Sequence, residues 1–271
     1  MLQLSSFSDA IAAVEHGRDI AVQAYTLGGR LMDELESCAK GGAHVRVTLE
    51  EDPAANDAPQ LRRRNATVAA QLRSFGVDVS LKRDVHSKTV TVDGTTFFDG
   101  SNWRRDDVIL RGDAHDAAAV ASLKSAALHA EGAMLENACS EHRRRAIVET
   151  ETFDRSNVVS KALREMAVDG LSPRLLVNGD ALRRNARELA CLKEMVAEGV
   201  EVRVCSDTEK FALTGDHAWL GSANATAAFP GGDMTDWGDV TDDPAIVAAV
   251  RDRLEVRWTS AKEWMPQESP L

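Results

Sequence analysis

One short stretch of the chain combines an imidazole, an ammonium and small hydrogen-bonding groups. It reads VHSKTVTVDGTTFFDGSNW over residues 85–103 and contains His86, Lys88, Asp93 and Gly100-Ser101-Asn102. Residues two apart in a strand project to the same face, so His86 and Lys88 are expected to point the same way. Asp93-Gly94 is a strong two-residue hairpin turn, and the returning strand would bring the Gly-Ser-Asn groups back beside His86.

An imidazole, an ammonium and amide donors that converge on one spot suit the binding of a phosphodiester anion. The alternative interpretation is a surface hairpin with an incidental His-x-Lys pair, and the internal repeat described next argues against it.

Two halves of the chain share a series of phrases in the same order. The first half contains LRRRNA followed by GVDV, and the second contains LRRNA followed by GVEV (residues 61–66, 76–79, 182–186 and 199–202). Each copy then reaches a lysine-containing strand and a Gly-Ser pair, Gly100-Ser101 or Gly221-Ser222. Such agreement predicts an internal duplication.

The elements around these phrases predict an α/β fold. Short apolar strand candidates alternate with helices of ten or more residues, which is typical of βαβ units and a mostly parallel or mixed sheet flanked by helices. The predicted helices are 29–40, 116–130, 156–168 and 244–257, and the predicted strands include 20–25, 45–49, 146–150 and 174–177. We expect two tandem lobes related by a pseudo-two-fold axis, residues 1–143 and 144–271.

The second copy departs from the first at the histidine. It reads DTEKFALTGDHAWLGSANAT over residues 207–226 and keeps Lys210, Ser222 and Asn224, but Thr208 stands two positions before the lysine. A threonine hydroxyl has no pKa near neutral pH, so it cannot donate a proton as an imidazole does.

No other residue of the second copy is a good replacement for that histidine. Glu209 alternates to the opposite strand face, and His217 lies beyond the predicted turn. Counted from lysine to glycine, the second hairpin is also one residue shorter than the first. The remaining histidines have no motif around them and are interpreted as structural or exposed (His16, His44, His115, His129 and His142).

The motif at His86 resembles the HKD signature of the phospholipase D superfamily: His, any residue, Lys, four residues, Asp, then Gly-Ser and Asn. The resemblance implies metal-independent chemistry without a cofactor, in which His86 forms a covalent phosphohistidine and a histidine of the other lobe protonates the leaving oxygen. It implies catalytic roles for His86, Lys88, Asp93 and Lys210, and phosphate binding by Ser101, Asn102, Ser222 and Asn224. In this family a carboxylate orients the nucleophilic histidine, and the sequence does not indicate which acid does so here.

The leading hypothesis is therefore a phospholipase D-like phosphodiesterase, a hydrolase with activity reduced by the loss of the second histidine. Arginine clusters favour a nucleic acid as the substrate. A phospholipid phosphodiesterase or phosphatidyltransferase is one alternative, and a catalytically weakened phosphate- or nucleic-acid-binding module is another. Because the chain carries both copies of the motif, no oligomer is required for the site.

Composition sets broad limits on the class of protein. The 271 residues carry a net charge of −11, which argues against a surface coated in positive charge. The amino-terminal sequence does not resemble a signal peptide and no stretch is apolar enough to span a bilayer, so we expect a cytoplasmic protein. The four cysteines are scattered, so we expect reduced thiols without a zinc site.

Overall fold

The computed structural model describes residues 1–53, 58–120, 122–141, 146–183, 185–206, 208–227 and 233–265. The chain forms two compact units. Unit 1 comprises residues 1–123 and 231–237, and unit 2 comprises residues 124–230 and 238–271. The sequence-based boundary after residue 143 divides the chain further along, so residues 124–143 fall in unit 2 and residues 231–237 in unit 1.

Unit 1 is a seven-stranded mixed sheet with helices. Its elements are β1 (Gln3–Ser5), α1 (Phe7–His16), β2 (Asp19–Ala24), α2 (Gly29–Lys40), β3 (His44–Glu50), α3 (Ala58–Ser74), β4 (Asp78–Lys82), β5 (Thr89–Val92), β6 (Thr95–Asp99), β7 (Ile109–Gly112) and α4 (Ala114–Ala119). The strand order is β1-β7-β6-β5-β2-β3-β4. Strands β2, β3 and β4 are parallel, and the other neighbours pair antiparallel.

Periodic apolar residues explain how these elements pack. In β2, Ile20 and Val22 alternate with more exposed residues and are almost fully buried. The amphipathic helix α2 contributes Leu31 and Leu35 to the same hydrophobic core. Such a one-sided apolar stripe on a helix is buried against a sheet, which is how βαβ units build a core.

Unit 2 contains a second seven-stranded mixed sheet. Its elements are α5 (Lys124–Ser140), β8 (Ala146–Thr150), α6 (Val158–Val168), β9 (Arg174–Asn178), α7 (Gly179–Leu182), α8 (Ala186–Ala197), β10 (Glu201–Cys205), β11 (Phe211–Thr214), β12 (His217–Gly221), β13 (Gly238–Thr241), α9 (Pro244–Ser260) and β14 (Lys262–Glu263). The strand order is β13-β12-β11-β8-β9-β10-β14.

Six strands follow the same order in each unit. The order β7-β6-β5-β2-β3-β4 in unit 1 recurs as β13-β12-β11-β8-β9-β10 in unit 2, with parallel strands in the corresponding places. The predicted α/β class with mixed sheets is confirmed. Among the described helices, none has the length and apolar character that crossing a membrane requires.

The predicted continuous helix over residues 116–130 is wrong. Helix α4 ends at Ala119 because Val120 adopts extended backbone angles (φ −73°, ψ 138°), and α5 begins only at Lys124. Val120 is β-branched and Ser122 competes for backbone hydrogen bonds, so both residue types weaken a helix at this point.

Candidate active site

His86 and Lys88 lie in an extended segment just before β5, beside the end of β2. The expectation that both residues belong to the strand itself is wrong, since β5 begins at Thr89. The start of this segment pairs with a distant part of the chain. Val85 forms a parallel bridge with Thr235, and the His86 amide donates to the Thr235 carbonyl at 3.0 Å.

That distant segment also supplies the acidic partner of His86. Nδ1 of His86 lies 2.7 Å from Oδ1 of Asp236, whose side chain is 1% exposed. An ionised carboxylate can only accept a hydrogen bond, so this contact places the imidazole proton on Nδ1. Nε2 then carries the lone pair, which is the form of histidine that can attack phosphorus.

Lys88 places a positive charge next to that nitrogen. Its side chain is buried, and Nζ donates to the His86 carbonyl at 2.7 Å. Nζ also lies 3.5 Å from Nε2 of His86. A fixed ammonium beside a nucleophilic nitrogen is suited to hold the oxygens of the phosphate that the nitrogen attacks.

Tyr25, immediately after β2, packs against His86. The two rings meet edge to face, with centroids 5.1 Å apart and an interplanar angle of 70°. Nδ2 of Asn65 in α3 donates to the Tyr25 carbonyl at 2.8 Å and to the Glu50 carbonyl at 2.9 Å. Asn65 belongs to the LRRRNA phrase, so this repeated phrase anchors α3 to the strand ends that carry the site.

Glu50 holds the backbone on the approach to His86. Its carboxylate accepts from the Val85 amide at 2.6 Å and from the Asp52 amide at 2.7 Å. Burial raises the pKa of Glu50 from its ordinary value, while these two backbone hydrogen bonds oppose the rise. A carboxylate that satisfies two amides fixes the path of the chain that enters the site.

Asp93 lies at the other end of β5 from Lys88. Its carboxylate accepts from the Asp19 amide at 2.9 Å and from the Arg18 amide at 3.2 Å. Its φ of 48° and the φ of 89° at Gly94 form the tight turn that the sequence predicts. Asp93 is therefore not brought to His86; it ties the hairpin to the start of β2.

The end of the first hairpin uses Ser101 internally. The Ser101 hydroxyl donates to Oδ2 of Asp107, and the Ser101 amide donates to Asp99 at 3.1 Å. The Asp99 carbonyl in turn accepts from Nε1 of Trp237 at 2.7 Å. Asn102 is exposed. The Ser101 hydroxyl thus has an acidic partner within the loop.

The two hairpins have equal length, so the expectation that the second is one residue shorter is wrong. Thr89 pairs with Phe98 and Phe211 with Leu220, and each hairpin closes with a two-residue turn. The lysine carbonyls accept from Asp99 and Gly221, respectively. Asp99 therefore occupies the place of Gly221, and the two Gly-Ser pairs are offset by one position. Ser101 matches Ala223 in register, whereas Asn102 matches Asn224.

Unit 2 places a lysine, an asparagine and a glutamate close together. Lys210 is buried, and its Nζ lies 3.4 Å from Oε2 of Glu151. Oδ1 of Asn224 accepts from the Glu151 amide at 3.2 Å, and Ser222 is fully buried. By strand register Glu151 corresponds to Tyr25. Each lies two residues after the strand residue whose pairing partner directly follows the motif lysine.

The other residues of the second motif point elsewhere. Thr208 is buried at the position that corresponds to His86. The Glu209 carboxylate pairs with Arg253 at 3.0 Å and Arg257 at 2.7 Å on α9, so it faces away as strand alternation predicts. His217 lies at the turn and contacts Asp216 at 2.8 Å. His142 lies outside the described residues.

Sequence reasoning missed four residues that position the first motif: Tyr25, Glu50, Asn65 and Asp236. A signal for Asp236 existed in the repeat. An aspartate precedes the strand by two residues in both copies, Asp107 before β7 and Asp236 before β13. In the described parts of the chain, no group of three or more His, Cys, Asp or Glu side chains is placed to hold a metal ion.

The chain is similar to known proteins in its three-dimensional structure. No protein-family model and no curated protein sequence matches the chain. Polyphosphate kinase from Porphyromonas gingivalis is similar in structure, with a TM-score of 0.66 at 14% identity, over 96% of this chain and 47% of that one. Phosphatidylserine synthase from Haemophilus influenzae Rd KW20 has a TM-score of 0.62 at 10% identity, over 97% and 87%.

The chain thus spans about half the length of the polyphosphate kinase (47%) and most of the phosphatidylserine synthase (87%). At identities of 14% and 10%, these likenesses concern the fold. Both proteins share the α/β arrangement of this chain. The chain has the phospholipase D-like α/β fold.

Proposed function

We propose that the protein is a phosphodiesterase of the phospholipase D superfamily that works through a covalent phosphohistidine at His86. The observation that carries this proposal is the arrangement around one imidazole. Asp236 lies at Nδ1, and the Lys88 ammonium lies beside Nε2. The first nitrogen is thereby protonated and the second is presented to an anion.

The proposed reaction has two displacements at phosphorus. Nε2 of His86 attacks, an N–P bond forms, and the P–O bond to the leaving group breaks. Water or an alcohol then attacks the same phosphorus, the N–P bond breaks, and the proton of the attacking hydroxyl passes to solvent. Asp236 stabilises the positive charge that the imidazole carries in the intermediate.

The loss of the second histidine restricts the substrates. With Thr208 in that position, the leaving oxygen receives its proton from water. Substrates whose leaving group needs little protonation are therefore favoured. In this proposal Lys88, Lys210, Ser222 and Asn224 bind phosphate oxygens. Asp93 stabilises the hairpin.

Because the two Gly-Ser pairs are offset by one position, the two serines differ in their proposed contribution to phosphate binding. The Ser101 hydroxyl already donates to Asp107, so its proposed contribution to phosphate binding is the weaker of the two. Asn102 is exposed at the position that matches Asn224 and is proposed to bind the substrate from the loop after β6.

A nucleic acid is the favoured substrate because arginines cluster at the start of α3. A phospholipid headgroup is the alternative. The second candidate function is a weakened phosphate- or nucleic-acid-binding module, which the replacement of histidine by Thr208 favours. We also propose that the common strand order and the repeated phrases reflect an internal duplication, and that the protein acts in the cytoplasm.

The test is cleavage of bis(p-nitrophenyl) phosphate, single- and double-stranded DNA, and RNA by the wild type, His86→Ala and His44→Ala. His44 is a matched control because it begins β3, next to Asp19 at the end of β2 opposite Tyr25, and pairs with Asp19. We expect only His86→Ala to lose activity. Acid-labile phosphate on the wild-type protein after a quench would identify the intermediate. Cleavage that survives His86→Ala would exclude His86 as the nucleophile. Salt-sensitive binding of nucleic acid without any cleavage would instead favour the binding module.

A further inference from the structure

Arg64 occupies a defined place near His86 that the proposed chemistry does not use. It precedes Asn65, the residue whose side chain binds the carbonyls of Tyr25 and Glu50. The first turns of α3 are thus fixed at the edge of the sheet where β2 and β3 end. His86 lies at this edge, against the Tyr25 ring.

The Arg64 side chain extends across the loop between β2 and α2. A Cβ on Gly28 would lie 3.0 Å from its Nη2 atom, so the guanidinium lies directly over the Gly28 backbone. Gly28 follows Tyr25 by three residues, which is at most about 10 Å of chain. The guanidinium therefore lies within reach of a ligand that extends from His86 past Tyr25.

The neighbouring charges leave Arg64 available for such a ligand. Arg62, two residues earlier, forms an ion pair with Asp52. Among the residues that the structure describes, no carboxylate lies within ion-pair distance of Arg64, and the Arg64 side chain is exposed. An exposed guanidinium is a strong, often bidentate, ligand for a phosphate group.

We propose that Arg64 binds a second phosphate of a polynucleotide whose scissile phosphate is attacked by His86. This inference rests on the proposed function and narrows its substrate class. Because Gly28 lies at most about 10 Å of chain beyond Tyr25, this second phosphate belongs to a nucleotide close to the cleaved bond. Tyr25, between the two positions, offers an aromatic surface to the intervening sugar or base.

This geometry separates a nucleic acid from a phospholipid. A phospholipid headgroup carries one phosphodiester, so a contact at Arg64 adds nothing to its binding. A polynucleotide gains a charge-assisted contact with Arg64. Its affinity for the protein also depends more steeply on salt concentration, because each neutralised phosphate releases counterions.

The test compares Arg64→Ala with Arg46→Ala. Arg46 is a matched control because it is half-exposed on β3, and its Asp19 partner begins β2 at the opposite end from Tyr25. We expect Arg64→Ala to raise KM for a single-stranded oligonucleotide about 3- to 10-fold. Its KM for bis(p-nitrophenyl) phosphate should stay at the wild-type value, and Arg46→Ala should match the wild type on both substrates.

Binding of a fluorescent oligonucleotide to His86→Ala proteins tests Arg64 independently of catalysis. The slope of log affinity against log salt should fall by about 1 when Arg64→Ala is added. An unchanged slope and affinity would overturn the proposal, as would equal effects of Arg64→Ala and Arg46→Ala. Inorganic polyphosphate is tested as a competitor. If the protein binds polyphosphate but not the oligonucleotide, the proposal of a nucleic acid as the substrate is also overturned. Failure of the proposed function appears separately, as cleavage that does not depend on His86.

Discussion

Oδ1 of Asp236 lies 2.7 Å from Nδ1 of His86, although the two residues are 150 positions apart in the sequence. Asp236→Asn keeps the size of the side chain but removes the charge that stabilises the imidazolium form. We expect kcat for bis(p-nitrophenyl) phosphate to fall about 10²-fold or more, with KM changed little. Steady-state kinetics measure the two constants separately. An exposed change on α9, Asp252→Asn, is the control, and an Asp236→Asn enzyme with wild-type kcat would exclude this role.

Glu50 is expected to stabilise the segment that enters the site. Glu50→Ala leaves the Val85 and Asp52 amides without their acceptor, at about 1–3 kcal/mol each. Thermal unfolding should show a Tm several degrees lower, and Glu50→Gln should fall in between because its amide oxygen still accepts one bond. The control is Glu51→Ala, an exposed neighbour paired with Arg83. Equal Tm values for the Glu50 and Glu51 variants would contradict this role.

Asp93 is expected to affect stability without affecting catalysis. Asp93→Ala removes the acceptor for the Arg18 and Asp19 amides and places alanine at a positive φ, which alanine tolerates poorly. We expect a lower Tm but a wild-type kcat, measured well below the unfolding temperature. Asp93→Asn tolerates this φ and should lose less stability. A large loss of kcat at an unchanged Tm would instead give Asp93 a catalytic role.

Glu188 is expected to make the stability of the folded protein depend on pH. Burial raises the pKa of Glu188 from 4.5 to about 8 in the folded protein, although the Phe153 amide donates to its carboxylate. Below pH 4.5 both states hold the proton. Between the two pKa values only the folded state holds it, so stability falls as pH rises, and the contribution is lost above about pH 8.

Glu188→Gln removes this titration. We expect Tm to decrease less between pH 5 and pH 8 in the variant than in the wild type, in matched buffers of constant ionic strength. Glu194→Gln serves as the control because Glu194 lies on the same helix and is exposed, paired with Arg155. A Glu188→Gln protein whose Tm declines as steeply as the wild type would show that another group titrates.

Local patterns predicted the α/β class and the hairpin because they depend on neighbouring residues. Asp93-Gly94 specifies a tight turn by itself, and the apolar alternation of β2 specifies a buried face. The match between Ser101 and Ser222 fails because it aligns the identical Gly-Ser letters, whereas the strand pairing places Asp99 opposite Lys88 and Gly221 opposite Lys210. Asp236 was not predicted because its role depends on a contact with His86 across the chain, and no local periodicity records such a contact.

The path of the chain through residues 233–237 has a consequence for protein synthesis. Thr235 pairs beside His86, Asp236 contacts its ring, and Trp237 bonds to Asp99, yet a ribosome makes this segment after most of unit 2. A nascent chain or a degradation fragment that stops before residue 235 contains His86 and Lys88 without the acid that orients them. Incomplete products would therefore be released without the Asp236–His86 pair on which the proposed reaction depends. A separately expressed amino-terminal fragment would need a peptide spanning 233–237 to complete its site.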